Sequence, residues 1–148
     1  MSQYKFIEMI CYELEDHDEA ISLVKTLDSS ALLYELLDHY NWDDGFGVPI
    51  AVANHPCCEV AIAQKLYWLA AADYWYESEE EVNIYNKEHF NFSKLISQRL
   101  LVGYYEVGSL SHAEYFSQVQ LYKFKKQGFP DVFYQPVVGT KSKQHRQP

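Results

Sequence analysis

Cysteine, glycine and proline are scarce in this chain, and so is positive charge. Three cysteines among 148 residues, two of them adjacent, make no disulfide framework, which fits a reducing compartment. No segment shows the apolar–polar alternation of a half-buried strand. Phosphate-cradling patterns of the G-x-x-x-x-G-K or G-x-G-x-x-G form are missing, as are His-x-x-x-His and Cys-x-x-Cys pairs. Lys65 and Asp73 interrupt the longest apolar run, which falls short of the roughly 18 residues that a membrane span needs. The N-terminus has no basic region leading into an apolar core and a small-residue cleavage site. These absences predict a cytoplasmic protein without membrane association, metal or cofactor.

Negative charge and tyrosine are abundant. The net charge of −9 is uneven: residues 1–90 hold four lysines against eighteen acids, and residues 91–148 hold eight basic residues against three acids. An acidic surface of this kind argues against nucleic acid and favours a basic protein partner. Thirteen tyrosines suit half-buried positions and partner-facing surfaces alike, since each joins an apolar ring to a polar tip.

Helical signals run along the whole chain. Ile7, Ile10, Cys11 and Leu14 predict a first helix over 2–14, and Asp16 with Glu19 has the form of a capping box before Ala20, Val24 and Leu27. Asp28-Ser29-Ser30 starts a third helix with the stripe Leu33, Leu36, Leu37 and Tyr40. Asn41-Trp42-Asp43-Asp44-Gly45 reads as a turn whose side-chain oxygens accept from free amides. Pro49 then suits the first position of a short helix that Pro56 stops. From Val60 to Ala72 only Gln64 and Lys65 are polar, so the helix expected over 58–76 is central, with others around it. Ser78 with Glu81 and Ser111 with Glu114 have the capping-box form of two later helices, and Val82 and Tyr85 begin the apolar side of the first. Lys123, Lys125 and Lys126 before Gly128 and Pro130 mark a stop. The segment after Gly128 reads as extended, and residues 139–148 as a disordered basic tail. The expected architecture is all-α: one compact domain over 1–138, with six to eight helices packed as antiparallel hairpins.

The stretch Tyr40-Asn41-Trp42-Asp43-Asp44-Gly45-Phe46, with Pro49, His55-Pro56, Cys58-Glu59 and the apolar helix from Val60, resembles the bacterial family domain of unknown function 4274. The resemblance covers roughly residues 30–76, with Gly47 where an acidic residue is usual and Glu59 where aspartate is usual. It implies a structural motif made of Asn41, Trp42, Asp43, Asp44, Gly45, Phe46, Pro49, His55 and Pro56, and brings no activity with it. Families of this size and composition are often immunity proteins paired with bacterial toxins, an association by analogy.

Catalytic readings are weaker than structural ones. Asp43 and Asp44 beside His39 and His55 have ligand chemistry, but adjacent aspartates diverge and no spaced ligand pair accompanies them. Cys57 and Cys58 beside His55 suggest a nucleophile, yet Glu59 opposes thiolate formation. The expected function is therefore not enzymatic: stoichiometric neutralisation of a cognate toxin, itself expected to be basic. The expected contact is Tyr74, Trp75 and Tyr76 running into Glu77, Glu79, Glu80 and Glu81, aromatic anchors beside dense charge. Two alternatives stand beside it. One is a regulatory interaction module with no toxin partner; the other makes Trp75 core and the glutamates mere complements of a helix dipole.

Overall fold

Side-chain caps set the starts of three helices. A computed structural model describes residues 3–140. In it Asp16 Oδ1 accepts the Asp18 and Glu19 amides at 2.8 and 3.3 Å and starts α2, His17–Thr26. Ser29 Oγ accepts the Leu32 amide at 3.0 Å and starts α3, Ser30–His39. Ser117 and Gln120 form a reciprocal capping box for α7, Gln118–Gln127. Such caps satisfy amides that a helix leaves without partners. The other helices are α1, Tyr4–Glu8, which continues as a π turn over Met9–Glu13, α4, Gly47–Ala53, α5, Val60–Leu69, α6, Lys87–Leu101, and α8, Asp131–Tyr134. The described residues contain no strand, only an isolated bridge between His112 and Val137. The protein is all-α.

The central helix is α5. Ala61 through Tyr67 are all buried, and α5 packs against α3, α4, α6 and α8. Its two polar residues are buried as well, and each ties it to a neighbour. Gln64 Nε2 donates to Gln135 O at 2.7 Å, holding the C-terminal segment. Lys65 Nζ lies 2.6 Å from Asp38 Oδ1, donates to Tyr34 O at 2.9 Å and sits over the Tyr34 ring, holding α3.

Five expectations about elements are corrected. Helix α5 ends at Leu69, well before Tyr76, because Ala71 adopts a left-handed conformation with φ 54° and a 3-10 turn, Ala72–Trp75, comes next. Ser78 starts no helix. Its Oγ accepts the Glu80 amide in a turn, and Asn83 and Asn86 bond each other's backbone amides, so local side-chain bonds displace helical ones until Lys87. Ser111 starts none either: its Oγ accepts from Gly139, and the next residue, His112, pairs with Val137 through both backbone bonds. Pro49 is the third residue of α4, still among the positions whose amides have no helical acceptor. The segment after Gly128 contains α8, which closes over α5: the Phe133 ring stacks on Tyr67 at 4.4 Å, and Phe129 and Tyr134 are buried beside it. Of the expected disordered tail, Gly139 and Thr140 are bonded to the body, and 141–148 lie outside the described residues.

Candidate functional site

The signature stretch is mostly turned inward. Asn41 Oδ1 accepts the Asp43 amide at 3.0 Å and opens a 3-10 turn, Trp42–Asp44, which Gly45 leaves at φ 98°. That backbone angle favours glycine. Tyr40 Oη donates to Gly45 O at 2.8 Å and shuts the turn from below. Trp42 meets Tyr40, Phe46 and Phe92 edge-on, and Phe46 stacks on His89. At Gly47 a Cβ would come within 2.8 Å of Ile21 Cδ1, so the bare backbone lets α4 approach α2. Asn41 alone supplies the capping oxygen. The carboxylates of Asp43 and Asp44, expected to share that task, are exposed and accept no hydrogen bond among the described residues.

His55 is fully engaged. Its Nε2–H donates to Leu27 O at 2.7 Å and its Nδ1 accepts the Cys57 amide at 2.9 Å, which fixes the ring between the end of α2 and the loop after α4. Two of the thiols, Cys11 and Cys58, are placed against reactivity. Burial pushes Cys58 up to about 12, with Arg99 opposing and Glu59 adding to the rise, and burial and Asp44 push Cys11 up to about 11. Among the described residues no group of three or more His, Cys, Asp or Glu side chains could hold a metal ion.

The aromatic and acidic side chains over 74–81 are mostly turned outward, and Trp75 is the exception. Trp75, expected to be a contact anchor, is only 4% exposed; its Nε1–H donates to His89 Nδ1 at 2.8 Å and its ring meets Phe90 edge-on. His89 in turn donates to Ala70 O, so Trp75 locks the 3-10 turn onto α6. Tyr74 and Tyr76 remain exposed, with Tyr74 Oη donating to Glu80 Oε2 at 2.9 Å and Tyr76 edge-on to Phe129. Glu77, Glu79, Glu80 and Glu81 are exposed, and none has an ion pair among the described residues. Two residues outside the expected contact complete this surface: Ile84 is 82% exposed and Tyr85 is 92% exposed. Tyr85 does not line the apolar side of a helix, because the Asn83–Asn86 turn points it outward. That pair of asparagines is the one signal in the sequence that marks it.

A polar chain with no sequence signature lies on the other side of Lys65. Tyr34 Oη contacts His112 Nδ1 at 2.6 Å, and His112 Nε2 contacts Glu114 Oε2 at 2.6 Å. Burial holds His112 below its ordinary value, with Glu114 opposing. The arrangement resembles a relay, but no cavity among those described is lined by Tyr34, His112 or Glu114. Its clear physical role is to pin the segment after α6 onto α3.

Fold and site together define an all-α protein whose signature turn is held by internal hydrogen bonds and ring contacts, with an acidic, apolar-tipped loop left open to solvent. The chain belongs to the family described as Domain of unknown function (DUF4274), whose sequence profile matches residues 28–101. The match runs from the cap of α3 to the end of α6. It therefore includes the loop and helix after Tyr76, beyond the reach of the signature residues. No curated protein and no solved structure matches the chain. No helix of the described residues is long and apolar enough to cross a membrane.

Proposed function

We propose that this protein is an immunity-type inhibitor, which binds a cognate bacterial toxin in the cytosol and neutralises it by stoichiometric complex formation without turnover. The observation that carries the reading is the loop over 77–86: four glutamates with no ion pair among the described residues, beside the exposed Ile84 and Tyr85. Unpaired charge costs little in solvent and steers a basic partner, and exposed Tyr and Ile side chains become the desolvated centre of an interface. Tyr74, Tyr76, Glu77, Glu79, Glu80 and Glu81 belong to this contact, together with Ile84 and Tyr85. Trp75 supports it from beneath. The basic character proposed for the partner rests on the loop's charge, and many toxin domains that act on nucleic acid are basic.

The test is co-expression with the product of the adjacent upstream gene. The expected outcome is rescued growth and a stable complex, with protection ending at one equivalent of toxin. Failure to bind that product, or full protection at amounts far below the toxin's, would remove the reading in favour of a regulatory module or a catalyst.

A further inference from the structure

A second site lies away from the acidic loop. A cavity of about 410 Å³ opens between the loop after α4 and the chain after α6, lined by His55, Cys58, Glu59, Tyr104, Glu106 and Gly108 among others. Glu59 is only 8% exposed, and it immediately precedes α5. One of its oxygens, Oε1, accepts the Leu110 amide at 2.8 Å. The other, Oε2, lies against the bare Cα of Gly108, where a Cβ would collide with it, and it accepts no hydrogen bond among the described residues. No Lys, Arg or His pairs with this carboxylate among the described residues. A buried carboxylate at the wall of a cavity, with one oxygen that accepts no hydrogen bond and no ion pair among the described residues, can take a cationic partner, because burying a charge is costly unless it is paired.

We infer that this cavity receives a cationic group, a guanidinium or an alkylammonium, whose charge Glu59 accepts. A guanidinium fits the donor–acceptor pattern best. Its planar fork matches a carboxylate, and its face stacks on aromatic rings. Tyr104, 60% exposed, supplies such a ring at the cavity and already carries the Arg99 guanidinium at 4.6 Å from its centre. Arg99 does not fill the role itself. Its Nη1 donates to Ala53 O and to Tyr105 Oη at 3.1 Å each, which anchors it to the end of α4, and it forms no ion pair with Glu59. Glu106 adds a second exposed carboxylate at the rim. The site stands independently of the toxin reading: its natural occupant is either a basic side chain of a protein partner or a free amino acid.

The experiment is titration of the whole protein with N-acetyl-arginine methylamide, and in parallel with free L-arginine, monitored by backbone amide shifts. Saturable shifts at Glu59, Tyr104 and Gly108 are expected. Glu59→Gln keeps an acceptor for Leu110 and removes the charge, so it should weaken binding by about tenfold or more while the rest of the spectrum is retained. Tyr104→Ala, at an exposed position, should weaken it less. Binding of the blocked derivative assigns the site to a side chain, and binding of free L-arginine alone assigns it to a small molecule. Absence of saturable shifts with both probes, or equal affinity in folded Glu59→Gln, would overturn the inference. Saturable binding in a protein that neutralises no toxin would leave this site standing and remove only the toxin reading.

Discussion

The turn over 40–46 and the loop over 77–86 look alike as strings of residues, each setting acids beside aromatics, and they lie within one family match. In the turn, Tyr40, Trp42 and Phe46 face inward, and the Asn41 amide oxygen holds the backbone. In the loop, Ile84 and Tyr85 stand in solvent, and the glutamates have no ion pair among the described residues. The difference lies in the residues just after the acids. Gly45 reverses the chain and Phe46 brings it back under Trp42, so the turn folds onto the body. After Glu81 the Asn83–Asn86 pair closes a turn on itself, and the apolar side chains it carries, Val82, Ile84 and Tyr85, all stay exposed. Residues with internal partners make scaffold; residues without them are available to something else.

The largest expected effect tests the boundary between the two classes at the two ends of the acidic run. Trp75→Ala should cost about 3–5 kcal/mol, read from urea unfolding, because it empties a packed site and leaves His89 without its donor. Ile84→Ala should stay within about 0.5 kcal/mol of the parent chain. Equal costs would erase the division. Leu66→Ala, in the fully buried face of α5, should fall at about 2–5 kcal/mol for the same reason.

The all-α class, the central helix and the caps at Asp16 and Ser29 are legible in the sequence because each rests on residues a few positions apart. The capping boxes expected at Ser78 and Ser111 fail for the opposite reason. Ser111 meets Gly139 across the fold, and Ser78 sits in a stretch where asparagine side chains bond the backbone first. The true box at Ser117 and Gln120 has the same spacing, and nothing local ranks it above the pattern at Ser111 and Glu114. The polar chain through Tyr34, His112 and Glu114 joins residues 78 apart and leaves no local pattern. Trp75 illustrates the limit most directly. Its letters suit an anchor or a core residue equally, and only the position of His89 decides.

A smaller effect is expected inside the turn. Tyr40→Phe removes the bond to Gly45 O and should cost about 1 kcal/mol, checked by the same unfolding measurement. No loss would mean that the turn is held by its aromatic contacts alone.

The pinning of the later chain has a pH signature. His112 is held below its ordinary value of 6.5, so the folded form stays neutral where the unfolded chain takes a proton. Its contribution is complete above 6.5 and is lost as pH falls below that value. Between about pH 7.5 and pH 5.5 the parent chain should therefore lose more stability than His112→Asn, by a few tenths of a kcal/mol or more. Identical slopes would show that Glu114 cancels the effect of burial.

The smallest effect on stability belongs to the glutamates, and there the functional account is most exposed. Replacing Glu79, Glu80 and Glu81 with Gln should leave unfolding within about 0.5 kcal/mol of the parent, since no ion pair is lost among the described residues and a glutamine at 80 still offers an oxygen to the exposed Tyr74 hydroxyl. Asp44→Asn should be similarly mild, because that carboxylate accepts no hydrogen bond among the described residues. The two variants are expected to match in stability, one removing three charges from the loop and the other a single charge from the turn. The most direct measurement is therefore stopped-flow association of each with the upstream gene product across a range of salt. The account predicts that the triple glutamine variant associates more slowly with a flattened salt dependence, and that Asp44→Asn associates like the parent. Slow association in Asp44→Asn with an unaltered rate in the triple variant would contradict it, and would make the turn the binding surface and the loop the bystander.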